Sequence, residues 1–376
     1  MTTSPFRQDR IAAARIMVVG CGALGNEVLK NLVLLGAEHL TVVDVDRVEQ
    51  GNLSRSILFS KEDAEAGRYK VDAAAERLTT MNPALEVRSI CGDVAYDVGL
   101  GLVREMDVVI GCVDSRWARY CINRLCMRAG KPWVDGGIDV LEGTVQVFAP
   151  GENCYACHLG PEGLKDLARR MPCSGVIRRS EAEGSVPTTS VIASVIGAVQ
   201  VQEALKLLHP GEVASGRLAP LCGKMFYYEG EQLTTKLVTF RSYDEDCPVH
   251  DCWEPVRKSS LHAGMVVEEA LACLRAELDA EQVCIHLTGD CFVDYVLRRE
   301  GEGRLEVMLP GRAVAGRLEE EPAWRGLPLS TLYQHEYREV DGNFPYPQLT
   351  LRQLGVPDRD ILYVTTDAGE YYMEME

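Results

Sequence analysis

The run GCGALG at residues 20–25 has the spacing of a phosphate-binding loop, with Gly20, Gly22 and Gly25 as its glycines. Glycines let the backbone approach a phosphate closely, and the amides at the start of the following helix point at the anion. Asp44, nineteen residues after Gly25, is placed to accept hydrogen bonds from ribose hydroxyls. The pattern predicts a nucleotide site. Because it also serves oxidoreductases, it leaves NAD(P) and ATP open.

Four polar residues follow the predicted ribose-binding Asp44: Asp46, Asn52, Arg55 and Lys70. An arginine and a lysine have no part in hydride transfer, but beside a phosphate loop they can neutralise a triphosphate and its departing pyrophosphate. They therefore favour ATP over a dinucleotide. The alternative interpretation is two solvated surface cations, which are common in proteins.

Two cysteine pairs have the spacing of metal half-sites, Cys154 with Cys157 and Cys247 with Cys252. Four thiolates satisfy tetrahedral Zn²⁺, and such a closed site would be structural because it leaves no open position for chemistry. The alternative is a set of buried or redox-active thiols. Two neighbouring side chains could substitute as ligands, His158 and His250.

Cys173 stands apart from these pairs, in an irregular stretch that is rich in arginine. Nearby cations lower the pKa of a thiol and favour the nucleophilic thiolate, so Cys173 is a candidate nucleophile. The alternative is an ordinary exposed cysteine, and Cys222 is the reserve candidate. The surrounding cations are Arg169, Arg170, Arg178 and Arg179.

A β-sheet flanked by helices would position these candidate site residues. Apolar β-branched runs at 16–20 and 40–45 flank a helical pattern at 23–36, which predicts a β-α-β unit. The pattern continues as a doubly wound, Rossmann-like, mostly parallel sheet. After Pro187, a long apolar stretch predicts a buried helix. Further strands are predicted at 86–90, 107–111 and 132–135, and further helices at 64–80 and 115–129.

From about residue 257 the pattern changes to one helix followed by short strands and acidic loops. This predicts a separate small α+β domain of the common size. We therefore place one domain at 1–256, with a crossover loop at 158–186, and a second at 257–376.

The composition excludes several classes of protein. The 376 residues are 46% hydrophobic and 25% charged, which is typical of a globular chain. With Lys+Arg 39 against Asp+Glu 56 the net charge is −17, so we expect neither nucleic acid nor an anionic membrane as a partner. No run of about 18 apolar residues is present, and the charged N-terminal segment is unlike a signal peptide. We expect a cytoplasmic protein, in which fourteen cysteines do not form a disulfide framework.

Several motifs together carry a family resemblance. The stretch 15–83 combines the glycine loop with Asp-x-Asp, Asn-Leu-x-Arg and Lys elements and a closing Asn-Pro. Further matches are Asp114-Ser-Arg at 114–116 and the run WVDGG at 133–137. Over about residues 15–256 the chain resembles the adenylation domain of ubiquitin-like modifier activating enzymes. Bacterial sulfur-carrier adenylyltransferases of molybdopterin and thiamine synthesis share this domain.

The resemblance assigns roles to particular residues. It implies that Asp114 binds Mg²⁺ and is catalytic, and that Asn52, Arg55 and Lys70 contact the phosphates of ATP. Asp114 also precedes a predicted helix, so a helix N-cap is the alternative. Cys173 lies in the crossover where family members carry the thioester-forming cysteine. The family also implies a homodimer, in which an N-terminal arginine reaches the partner's ATP; Arg7 and Arg10 are the candidates.

The segment 348–364 resembles the last part of the ubiquitin-fold domain that recruits a conjugating enzyme in this family. The sequence thus predicts ATP-dependent adenylation of a ubiquitin-like protein, thioester formation and transfer to a conjugating enzyme. The first alternative is a sulfur-carrier adenylyltransferase, although no rhodanese-like active loop follows residue 257. The others are an NAD(P)-dependent oxidoreductase and a scaffold without activity.

Overall fold

The computed structural model describes residues 5–170, 189–240, 243–299, 303–320 and 330–376. The described residues fall into two compact units. The first comprises those within Met1–Ala95, Val103–Gly160 and Glu183–Cys252, and the second those within Tyr96–Leu102, Pro161–Ala182 and Trp253–Glu376.

An eight-stranded sheet forms the centre of the first unit, in the order β3-β2-β1-β4-β5-β6-β7-β8. The pairs from β3 to β5 are parallel, and those from β5 to β8 are antiparallel. This confirms a doubly wound α/β fold with a largely parallel centre. The strands are β1 Arg15–Val19, β2 His39–Asp44, β3 Glu86–Cys91, β4 Val108–Gly111, β5 Trp133–Ile138, β6 Glu142–Phe148, β7 Lys224–Glu229 and β8 Thr234–Thr239.

Nine helices accompany these strands among the described residues, and α5 and α7 belong in part to each unit. The predicted helix 64–80 is two helices instead, because Gly67 adopts a positive φ of 57° between them. The helices are α1 Gln8–Ala13, α2 Ala23–Leu34, α3 Lys61–Glu65, α4 Lys70–Met81, α5 Leu100–Arg104, α6 Arg116–Arg128, α7 Tyr155–Arg170, α8 Ser190–Leu207 and α9 Pro210–Ala214.

Helix α8 is the predicted buried helix. It contacts α2 and strands β4, β5 and β6, and Ile192, Ile196 and Ala204 along it are almost fully buried. By length and composition alone α8 could cross a membrane, but half of it is buried inside the protein. A helix in the core of an α/β domain can have the same length and apolar composition, so we interpret α8 as part of the core.

The second unit contains a five-stranded sheet, β14-β10-β15-β16-β9, and a three-stranded sheet, β12-β11-β13. Its main core lies between helix α10 and the five-stranded sheet. The first and last strands, β9 and β16, pair in parallel at one edge. The elements are β9 Val256–Lys258, α10 Val267–Leu278, β10 Val283–His286, β11 Phe292–Arg299, β12 Gly303–Pro310, α11 Val314–Glu320, β13 Ser330–Tyr337, β14 Glu339–Val340, β15 Ile361–Thr366 and β16 Glu370–Glu374.

The second unit begins at Trp253, slightly before the predicted boundary, and it includes the short segment Tyr96–Leu102 from the earlier sequence. One contact of that segment is a hydrogen bond from the Leu100 amide to Asp360 Oδ1, at 2.8 Å. The sequence pattern did not predict that this segment belongs to the second unit, because the hydrogen bond joins residues that are far apart in the chain. The ubiquitin-like fold of this unit stays a prediction.

Candidate nucleotide and metal sites

Each of the three glycines in the loop after β1 occupies its position for a different structural reason. Gly20 has a φ of 94°, and a Cβ there would lie 2.4 Å from the carbonyl oxygen of Cys112. A Cβ at Gly25 would lie 2.0 Å from the carbonyl oxygen of Gly20, so this glycine allows α2 to approach the strand. A Cβ at Gly22 would have no heavy atom within 4 Å. Gly22 therefore faces open space, where a ligand can approach the backbone.

Helix α2 begins directly at this loop, with Gly22 as its N-cap and no side-chain cap. Uncapped amides at a helix N-terminus bind anions, since they add their hydrogen bonds to the helix dipole. The loop lies at the carboxyl end of β1, whose neighbours β2 and β4 lie on opposite sides. Open α/β sheets bind ligands in the crevice at such a switch point.

Asp44 ends β2 and faces the glycine loop. Its Oδ2 accepts a hydrogen bond from the Cys21 amide at 2.6 Å, and its Oδ1 accepts one from the Asp46 amide at 2.8 Å. Burial raises the pKa of Asp44, while Lys70 acts in the opposite direction. The carboxylate thus holds the loop in place, and each oxygen keeps a second lone pair for a ligand hydroxyl.

Lys70 is not a solvated surface cation. Its side chain is 10% exposed, and its Nζ lies 2.9 Å from Asp46 Oδ2. Burial works against the charged amine, but the carboxylates of Asp44 and Asp46 outweigh burial and raise the pKa of Lys70. The amine is therefore charged at neutral pH.

Asn52 and Arg55 lie on a short turn after β2. The Asn52 side-chain oxygen accepts a hydrogen bond from the Glu49 amide at 2.9 Å, which fixes the turn. Arg55 is half-buried, and its guanidinium forms no hydrogen bond or ion pair with the described residues. That cation is available to an anionic ligand.

Asp114 is exposed in the loop after β4. The alternative role as a helix N-cap is wrong, because Ser115 is the N-cap of α6 and accepts a hydrogen bond from the Ala118 amide at 3.0 Å. Since β1, β2 and β4 are adjacent and parallel, the loops with Gly20, Asp44 and Asp114 lie at the same edge of the sheet.

Sequence reasoning missed Asn26, which lies fully buried in α2. Its Nδ2 donates to the carbonyl oxygens of Cys21 and Gly22, both at 2.9 Å, and its Oδ1 accepts from the Leu58 amide at 2.8 Å. Asn26 therefore joins the glycine loop to the segment that follows Arg55. A polar residue directly after the last loop glycine was the available signal.

We expect Asn26→Ala to lower the free energy of unfolding by about 2–4 kcal/mol, because it leaves buried backbone groups without partners. Asn31→Ala is the matched control on the same helix, since the Asn31 side chain forms no hydrogen bond with the described residues. Urea denaturation of the two variants provides the measurement. Equal stability of both would contradict the joining role of Asn26.

Sequence reasoning also missed a buried ion pair between α6 and β5. Arg119 Nε lies 3.0 Å from Asp135 Oδ1, and both side chains are largely buried. Burial raises the pKa of Asp135, and Arg119 opposes that shift. Arg119 also donates to the carbonyl oxygen of Gly136 at 3.3 Å, which fixes α6 against the strand.

Three of the predicted thiols come together with a histidine: Cys154, Cys157, Cys247 and His250, whose ligand atoms lie within 4.8 Å of one another. The Cys154 sulfur lies 3.8 Å from those of Cys157 and Cys247. Zn–S bonds of about 2.3 Å give sulfur–sulfur edges of about 3.8 Å in a tetrahedron. The residues present therefore fit a four-coordinate metal ion such as Zn²⁺.

The charge and ligand chemistry of these three cysteines and His250 suit a metal ion. A hydrogen bond from the Cys247 thiol holds the pKa of Cys154 well below its usual range, even though burial acts against it. The His250 Nε2 lies 3.0 Å from the Cys157 sulfur, and its ring stacks on Tyr243 at 4.1 Å. Thiolate and imidazole nitrogen are the ligands that Zn²⁺ prefers.

Cys252 does not join this group, although the spacing made it the fourth predicted ligand. It is exposed, and its sulfur lies 3.4 Å from the carbonyl oxygen of Arg128. His158 also lies outside the group, because its ring nitrogens are 3.1 Å from the side chains of Asn153 and Gln146. Burial lowers the pKa of His158 to about 4, so its ring is neutral.

Of the two candidate nucleophiles, Cys222 alone lies among the described residues. Cys173 lies outside the described residues. Cys222 is half-buried, and burial raises its pKa to about 11, so its thiol is not activated for attack. The reserve candidate is therefore a poor nucleophile at neutral pH.

Comparison with known proteins adds to this geometry. Residues 2–249 match the model of the ThiF family. The chain belongs to this family. The match covers well over half of the chain, so the resemblance noted from the sequence motifs is confirmed.

Among the relatives of this ThiF-family chain is the SAMP-activating enzyme E1 of Haloferax volcanii, 32% identical, with 65% of this chain and 83% of the relative covered. The sulfur carrier protein adenylyltransferase of Thermus thermophilus is 33% identical, with coverages of 65% and 85%. The adenylyltransferase and sulfurtransferase MOCS3 of Mus musculus is also 33% identical, but only 48% of it is covered.

Solved structures agree in fold. E. coli MccB with AMPCPP and MccA superposes with a TM-score of 0.52 at 21% identity, covering 65% of this chain and 68% of that one. At such identity the likeness concerns the fold alone.

Proposed function

We propose that this chain is an ATP-dependent enzyme that adenylates the C-terminal carboxylate of a ubiquitin-like protein. The observation that carries the proposal is the uncapped helix N-terminus at Gly22, together with the buried, charged Lys70 and the unpaired Arg55, within a ThiF-family domain. A triphosphate needs both backbone donors and cations, and the site offers both without a competing internal anion at Arg55.

The chemistry is a displacement at the α-phosphorus of ATP. A carboxylate oxygen of the protein substrate forms a bond to that phosphorus, and the bond to the bridging oxygen of the β-phosphate breaks. Pyrophosphate leaves, and an acyl-adenylate remains. Arg55 and Lys70 would stabilise the charge that develops on the phosphates, while Asp44 would hold the ribose.

Two metal ions would serve this enzyme in different ways. Asp114 would hold Mg²⁺, which supplies further positive charge to the phosphates when it is bound. Cys154, Cys157, Cys247 and His250 would hold Zn²⁺ as a closed structural site. Asn52 would contact the phosphates from its turn, and Asp46 would orient Lys70.

The second step of the proposed reaction would use a cysteine as the nucleophile. The Cys173 thiolate would attack the adenylate carbonyl, form a thioester and release AMP. The unit from Trp253 onward would then recruit a conjugating enzyme, which rests on the resemblance of residues 348–364 to a ubiquitin-fold domain. A C2 homodimer is the expected assembly.

A second candidate function is sulfur-carrier adenylylation, in which a sulfur donor consumes the adenylate. The names of the Thermus and mouse relatives favour it, because both are adenylyltransferases. The two functions share the first step and differ at Cys173.

We expect Cys173→Ser to retain ATP–pyrophosphate exchange with a small β-grasp protein but to lose the thioester adduct on a non-reducing gel. The first step does not use the thiol, whereas the second consumes it. Cys222→Ser is the matched control and should keep both. An adduct that persists in Cys173→Ser would reject this nucleophile, and exchange without any adduct in the wild type would favour sulfur-carrier chemistry.

A further inference from the structure

Gln200 is a fully buried amide on α8, the helix that packs against the large sheet. Its Nε2 donates a hydrogen bond to the carbonyl oxygen of Gly111 at 2.9 Å. Gly111 is the last residue of β4 and lies three positions before Asp114. The other buried residues of α8 are largely apolar, among them Ile196 and Val201, and burying an amide in such surroundings costs free energy unless it is hydrogen-bonded. The bond to Gly111 therefore joins α8 to the end of β4.

The sheet leaves a space for this amide. A Cβ at Gly136 on β5 would lie 2.3 Å from Gln200 Cδ, 2.4 Å from its Oε1 and 2.5 Å from its Nε2. The Oε1 atom lies 3.8 Å from the sulfur of Cys112, whose thiol is a weak donor. Burial raises the pKa of Cys112, so the thiol keeps its proton. Both polar atoms of the amide thus face partners of the right kind in the chain that leaves β4.

The segment that carries Asp114 is fixed on both sides. Before it, the Cys112 amide donates a hydrogen bond to the carbonyl oxygen of Val19 at 2.7 Å. After it, Ser115 caps α6. The carboxylate of Asp114 forms no hydrogen bond with the residues that the structure describes. Its position therefore depends on the backbone, which Gln200 and Val19 hold where β4 ends.

We propose that Gln200 is a positioning residue for Asp114: its hydrogen bond to Gly111 fixes the backbone after β4 and so places the Asp114 carboxylate for Mg²⁺. The inference rests on the proposed function, in which Asp114 would hold that ion. Functional groups need to be held within about 0.5 Å of their productive positions. Groups that hold metal ligands in place typically contribute about 10- to 100-fold in metal affinity. The alternative is an amide that only joins α8 to the sheet, and its loss would change stability alone.

The Gln200→Met variant separates the two roles. Methionine has nearly the same length and fills the same space, but it has no N–H donor for the Gly111 carbonyl oxygen. The Kd for ATP is measured by calorimetry without a protein substrate, once in Mg²⁺ and once in EDTA. We expect the affinity of Gln200→Met for ATP to fall about 10- to 100-fold in Mg²⁺ but to stay within about threefold of the wild type in EDTA.

Val201→Ala is the matched control for stability. Val201 is the next residue of α8 and is also buried, so the change weakens the core but leaves the amide of Gln200 in place. We expect a lower Tm with wild-type affinity for ATP in both Mg²⁺ and EDTA. Asp114→Asn is the positive control, because it removes the carboxylate itself and should lose affinity in Mg²⁺ alone.

Two results for Gln200→Met would overturn its positioning role and leave the proposed function standing: wild-type affinity in Mg²⁺, or an equal fall in Mg²⁺ and in EDTA. If Gln200→Met does not fold, Gly136→Ala takes its place, since the new Cβ would push the amide away from Gly111. The same loss in Mg²⁺ alone is expected, and its absence would reject the inference. Wild-type affinity in Asp114→Asn would reject the magnesium ligand and this inference together, and a wild-type protein that binds no ATP would reject the proposed function as well.

Discussion

Asp114→Asn is expected to lower the rate of ATP–pyrophosphate exchange by about 100- to 1,000-fold, the cost of removing one group that stabilises transition-state charge. The carboxylate of Asp114 is exposed at the carboxyl end of β4, next to the glycine loop. It has no capping role, because Ser115 caps α6. The substitution therefore removes the proposed ligand for Mg²⁺ without removing a structural hydrogen bond, and the fold should survive.

The matched control is Asp367→Asn, which changes an exposed aspartate in the turn between β15 and β16. Its exchange rate should equal that of the wild type, and both variants should keep the wild-type Tm. Exchange is measured with labelled pyrophosphate at saturating ATP and Mg²⁺. Wild-type exchange in Asp114→Asn would show that phosphate chemistry does not pass through this carboxylate.

Cys247→Ser should abolish the binding of Zn²⁺, which we expect at one equivalent per wild-type chain. A closed site with one thiolate lost binds far more weakly. The protein should also lose stability, since a ligand that binds only the folded state contributes about 4 kcal/mol when its free concentration exceeds Kd about 1,000-fold. Metal analysis of purified protein and thermal unfolding with and without a chelator check both effects.

Cys252→Ser is the matched control five residues along the same segment. Because its sulfur lies against the Arg128 carbonyl oxygen and not with the other thiols, Zn²⁺ content should be unchanged. His250→Ala should lower the affinity, since His250 completes the group. Loss of Zn²⁺ in Cys252→Ser with retention in His250→Ala would restore the four-cysteine set.

Local patterns predicted the parts of the fold that are themselves local. The glycine loop, β1 and α2 follow from residue types within about 20 positions, and the structure places them where the period of apolar residues indicated. Asp44 also followed, because its position at the end of β2 depends only on strand length. The position of Lys70 in the site could not be predicted from local patterns, since it depends on the turn at Gly67 that separates α3 from α4.

Partners that are distant in the chain were not predictable. Arg119 and Asp135 meet only because α6 packs on β5, and no spacing rule links them. The metal group shows the same limit: spacing alone ranked Cys252 above His250, but the short turn after Cys247 directs the histidine ring toward the Cys157 sulfur. Side-chain direction in an irregular loop depends on backbone angles that composition does not encode.

The last strand of the large sheet, β8, has one consequence for the protein in solution. It pairs only with β7 among the described residues, and nearly all of its side chains are exposed, including Leu237 and Val238. An unpaired strand edge with apolar side chains is a template for association with other chains. Lys236 lies in the middle of this strand. We expect its charge, and the strong net negative charge of the whole chain, to oppose the stacking of one molecule on the next and so to limit aggregation.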